Sequence, residues 1–133
     1  MAKKNATADK QKITKNYIDL LYMTPSTITA KDIADFLKDS EGIIIELWEA
    51  MNVLEIELSN GSSIDFEPLQ TTFKDPSDAA YIKNRNIKTI FALQLCEDDF
   101  QIVTPYLESL AAQFSGFVCA DSENFQPIYI GKA

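Results

Sequence analysis

Two short runs on either side of Asn60-Gly61 constrain this chain more than any other feature. Leu54, Ile56 and Leu58 alternate with Glu55 and Glu57, and Ile64 and Phe66 alternate with Asp65 and Glu67. That is the period of a β-hairpin with one buried face. A two-residue Asn60-Gly61 loop would set Ile56 opposite Asp65 and Glu55 opposite Phe66, mixing core and solvent on each face, which pleating does not tolerate. A three-residue loop, Ser59-Asn60-Gly61, pairs Leu54 with Phe66 and Ile56 with Ile64. It also gives Gly61 the left-handed position of a type I turn with a G1 bulge. The consequence is an acidic outer face on which Glu55 confronts Asp65, with Glu57 and Glu67 nearby. Like charges so placed cost roughly a fraction of a kcal/mol per pair, so stability alone does not account for them.

The flanking sequence supplies the rest of an α+β domain. Residues 1–7, MAKKNAT, are small, polar and basic and predict a disordered start, with a single domain over 8–133. Ile13, Tyr17, Leu20, Leu21 and Thr24 fall on one helical stripe closed by Pro25. Thr29-Ala30-Lys31-Asp32 resembles a capping box ahead of Ile33, Phe36 and Leu37, so the chain is expected to open as a helical hairpin. Segment 42–51 fits both periods: Ile43-Ile44-Ile45 is β-branched, while Ile43, Ile44, Leu47, Trp48 and Met51 have helical spacing, and the strand is favoured. Asp75-Pro76 starts a helix reaching about Arg85. Ile87 to Leu95 reads as a strand buried on both faces at the sheet centre. Val103, Tyr106, Leu107, Leu110, Ala111 and Phe114 form a helical stripe ending near Gly116, with Pro105 either starting the main helix after Thr104 or lying inside one helix from Asp99. Phe117 to Asp121 returns as a strand. Phe125 to Ile130 makes a last extended piece that Pro127 confines to an edge. The pattern predicts a four- to six-stranded, mostly antiparallel sheet with helices packed on one face. The unit 87–95, 99–115, 117–121 is the one able to form a right-handed parallel crossover.

Several chemistries lack their parts. The chain contains no His, which removes the commonest general base and transition-metal ligand. Its four glycines form neither a GxGxxG nor a GxxxxGK[ST] phosphate cradle, and no nucleophile elbow is present. No cofactor is expected. Cys96 and Cys119 have no zinc or redox spacing and read as reduced, buried small hydrophobes. The absence of a secretory signal or a membrane-length apolar run predicts a cytoplasmic protein. Carboxylates are abundant: Glu97-Asp98-Asp99 and Asp121 with Glu123 follow two strands and could meet at a divalent cation. The favoured reading is that Asp98 or Asp99 caps a helix while Asp121 and Glu123 sit in a turn.

Charge is segregated along the chain. From Asp39 to Phe73 there are eight acids and no Lys or Arg, whereas residues 1–16 hold five Lys against one Asp; the net charge is −8. Such a field repels nucleic acid and anionic lipid, so neither is an expected partner. It suits a basic protein instead. The residues expected to meet that partner are Glu46, Glu49, Glu55, Glu57, Asp65 and Glu67, with Trp48 as an apolar anchor. The competing interpretation makes the acids a solvated sheet face and Trp48 a core-edge residue.

In size, acidity, lack of catalytic signatures and α+β pattern the chain resembles, at the level of type, small bacterial immunity and inhibitor proteins that occlude the basic site of a toxin or nuclease. No motif carries that likeness and no residue is transferred by it. It implies a non-enzymatic binding protein. A small carboxylate-based metal-dependent enzyme and a structural or oligomeric component, for instance a homodimer, whose exposed strand edges and N-terminal helices pack against copies of itself, are the alternatives.

Overall fold

The computed structural model describes residues 16–133. The basic start at 1–7 and Ile13 at the head of the first helical stripe lie outside the described residues. Among the described residues seven strands form one sheet: β1 Tyr17–Thr24, β2 Ile43–Trp48, β3 Val53–Leu58, β4 Ser63–Leu69, β5 Thr89–Cys96, β6 Phe117–Ala120 and β7 Ile128–Gly131. Their order is β2-β3-β4-β5-β1-β6-β7, and every neighbouring pair is antiparallel. The helices are α1 Ala30–Leu37, α2 Pro76–Asn84 and α3 Phe100–Phe114. The mixed α+β class is as expected, with seven strands rather than four to six. As expected too, β5 occupies the middle of the sheet.

The N-terminal helical hairpin is overturned. Only its second arm, α1, is a helix, and Thr29 closes the capping box with Asp32 there. Residues 17–24 form β1, inserted between β5 and β6. Because β1 pairs on both sides and is covered above and below, Leu20 through Thr24 are all buried, and a strand apolar on both faces carries no alternation. Tyr17, Leu20 and Leu21 then coincide with a helical stripe by composition alone. Strands β5 and β6 run parallel to each other with β1 antiparallel between them, so α3 bridges two strands that are not adjacent.

Two apolar clusters lie on opposite faces. Leu20, Tyr22, Leu54, Ile56, Phe66, Phe91, Leu93 and Val118 point to one face, covered by α1 and α3. Leu21, Met23, Ile90, Phe117 and Cys119 point to the other, covered by Ile82 and Tyr81 of α2 and by Phe125 and Phe73. The helices are therefore not confined to one face. The second face is covered only toward the Thr24 end of β1, because α2 has two and a half turns and a single buried residue, Ile82.

Polar groups tie the layers together. Buried Tyr22 donates from its hydroxyl to the Leu110 carbonyl of α3 at 3.0 Å. Asn52, in the left-handed region after the turn that follows β2, accepts from the Ala30 amide at 2.6 Å and so holds the first turn of α1. Gly116 follows α3 so close to β1 that a Cβ there would meet the Met23 carbonyl oxygen at 2.5 Å. Pro105 lies inside α3, which is one helix, and Thr104 donates back to the Phe100 carbonyl at 2.7 Å. Asp99 does not cap α3. Its buried carboxylate accepts from Asn60 Nδ2 at 2.8 Å and pins the β3–β4 turn to the start of that helix.

Candidate partner-binding face

The hairpin β3–β4 has the register that its turn dictates. Leu54 pairs with Phe66, Glu55 with Asp65 and Ile56 with Ile64, and Gly61 takes φ +88°. Leu58 and Ser62 close the three-residue loop through the Leu58 amide, which donates to the Ser62 carbonyl at 2.7 Å. Leu54, Ile56, Ile64 and Phe66 are buried, which turns Glu55, Glu57, Asp65 and Glu67 toward the opposite, incompletely covered face.

The neighbouring strands extend this face. Glu46 of β2 pairs with Glu55, Asp65 with Gln94 of β5, and Gln94 with Asp19 of β1. The Asp121 amide donates to the Asp19 carbonyl at 3.2 Å, bringing Asp121 alongside. One cross-strand row thus reads Glu46, Glu55, Asp65, Gln94, Asp19, with Asp121 at its end. Gln94 Nε2 donates to Asp19 Oδ1 at 3.4 Å. Asp19, Asp65, Glu67 and Asp121 line, with Ala92, Leu93 and Gln94, a depression of about 150 Å³.

The electrostatics are those of a crowded anionic surface. Burial, then the charges of Glu55 and Glu67, then a hydrogen bond shared with Glu55 hold the Asp65 carboxyl above its ordinary range. Among the described residues the one ion pair is Lys31–Asp35, within α1 on the far side of the sheet. No described Lys or Arg neutralises the row. Apolar side chains flank it: Ile44 and Trp48 sit either side of Glu46 on β2, 66% and 41% exposed. Glu49 stands apart, in the 3-10 turn Glu49–Met51 that follows.

Of the expected site residues, the structure gathers Glu46, Trp48, Glu55, Glu57, Asp65 and Glu67 on one face. Asp19, Gln94 and Asp121 join them and were not singled out for it. Asp19 was hidden by the helical reading of 13–24. Its signal was the apolar run Leu20-Leu21-Tyr22-Met23 ahead of Pro25, which also fits a buried strand. The two acidic clusters considered for a cation do not come together: Asp99 is 3% exposed against Asn60, whereas Asp121 lies on the open face. Among the described residues no three carboxylates or cysteines are grouped closely enough to hold a metal ion. Both cysteines are buried and free. Burial, with Asp121 adding to it, pushes the Cys119 thiol up to about 12. No described helix is long and apolar enough to cross a membrane. Comparison with protein-family models, with curated proteins and with solved structures finds no match.

Proposed function

We propose that this chain is a small cytoplasmic, non-enzymatic binding protein, of the immunity or inhibitor kind, that uses the open face of its sheet to neutralise a basic protein partner. The single observation carrying this reading is the cross-strand row Glu46, Glu55, Asp65, Gln94, Asp19. Five adjacent strands spend one position each on it, four of them on carboxylates, at a cost in mutual repulsion that a cationic ligand would relieve. Ile44 and Trp48 beside it supply the apolar contact that charge alone lacks.

The spacing also describes the partner. Strands repeat every ~4.8 Å across a sheet, close to the ~5.4 Å pitch of an α-helix, whereas alternate residues of an extended chain stand ~6.8 Å apart. A helix laid across the strands with one Lys or Arg per turn matches the row best. Trp48 is the chain's single tryptophan, so its fluorescence reports on this face. Titration with a peptide bearing one lysine per helical turn should change Trp48 emission, with affinity falling as salt rises and weakening in the double variant E55Q/D65N. Binding that ignores both salt and those substitutions would contradict the proposal.

A further inference from the structure

The two ends of the sheet are built differently. At one end β7 has four residues, a register shift against β6 at Val118/Cys119, Pro127 immediately before it, and α3 packed alongside. These are the devices that keep an edge from pairing. At the other end β2 has six residues, Ile43-Ile44-Ile45-Glu46-Leu47-Trp48, with no Pro, Gly, Lys, Arg or bulge, and among the described residues it pairs only with β3. The two most exposed large apolar residues described, Ile44 and Met51 at 66% and 64%, belong to this strand and the turn after it. Ile43, Ile45 and Leu47 are half-buried at the rim of the larger core.

We propose that the outer edge of β2 pairs antiparallel with β2 of a second copy of this chain, about a two-fold axis at Ile45. Pairing must keep like faces together, which leaves registers centred on single residues. Centring on Glu46 sets that carboxylate against its own copy. Centring on Leu47 opposes Ile45 to Glu49, which has already left the strand, and centring on Ile44 strands Leu47 and Trp48 beyond the other copy's first residue. Centring on Ile45 pairs Ile45 with itself and Ile43 with Leu47 of the second copy, joining the two core rims. On the other face it sets Ile44 beside Glu46 of the second copy, with no like charges opposed, and Trp48 beside Gly42. A six-residue edge is small against the ~1,200–2,000 Å² of a standard stable interface, and both copies are acidic, so the dimer is weak and strengthens with salt. The cation-binding face behaves oppositely toward salt, so the two proposals stand or fall separately.

Sedimentation equilibrium of the full chain from about 10 μM to 1 mM, at low and high salt, tests the association. The exposed Ile44 offers a matched pair of variants. I44E adds two Glu–Glu oppositions and should weaken dimerisation about fivefold or more, while I44K faces Glu46 and should tighten it. Outward-pointing amides of β2 should gain protection from hydrogen exchange as concentration rises. A monomer at 1 mM in high salt, equal weakening by I44E and I44K, or β2 exchange independent of concentration would overturn the proposal.

Discussion

Asp65 shows how one side chain can link fold and function. Its carboxyl is held above the ordinary range by burial and by Glu55 and Glu67, so the folded state binds a proton more tightly than the unfolded chain does. Stability from this group is therefore greatest below the ordinary carboxylate range and is lost as pH rises through the raised value. D65N should stabilise the protein at pH 7 by roughly 0.2–1 kcal/mol and flatten that part of the pH profile, as read by urea unfolding at pH 7 and at a pH below the ordinary carboxylate range. A ligand cation over Asp65 would instead favour the ionised form, so binding at a pH where Asp65 is partly protonated should release protons. Gly116 tests packing rather than charge. G116A forces a methyl toward the Met23 carbonyl and the Tyr22 ring and should cost about 1–3 kcal/mol in the same assay. Cys119, its thiol pushed up to about 12 by burial, should resist alkylation at pH 8 until the protein is unfolded.

At the level of elements, α2 is the weakest cover. Asp75 accepts from the Ser77 and Asp78 amides at 2.8 and 3.1 Å, and D75A should cost about 0.5–2 kcal/mol and loosen α2 before the sheet, seen as faster exchange of the Ile82 amide. That helix was legible in the sequence because cap and Pro76 are adjacent and local. The β3–β4 register was legible for a related reason: turn type and period-2 pattern are short-range and admit one joint solution. β1 was not legible, since a strand buried on both faces loses the alternation that separates it from a helix. β2 was half legible, because exposed Ile44 sits where a polar residue would have marked the outer face. The sequence leaves Asp98 and Asp99 alike as candidate caps because it shows the neighbouring Phe100 but not Asn60, which the fold brings to Asp99 from 39 positions away.

For the molecule as a whole, the decisive asymmetry is between the two faces of one sheet. Two helices close the first, and the second is closed only at one end, leaving acids contributed by β1, β2, β3 and β4. The acidic hairpin was visible in the sequence, but the row's length was not: insertion of β1 between β5 and β6 brings Asp19 beside Gln94, and that pairing spans 75 positions. With a net charge of −8, association with a cationic protein should be fast at low salt and slow as screening rises, with the dissociation rate less affected. The most direct test of the account is backbone amide shift mapping on the full chain titrated with the lysine-striped helical peptide. Shifts confined to Asp19, Glu46, Trp48, Glu55, Asp65 and Gln94 are the predicted result. Perturbation centred on α1 and α3, or spread evenly over the surface, would contradict it.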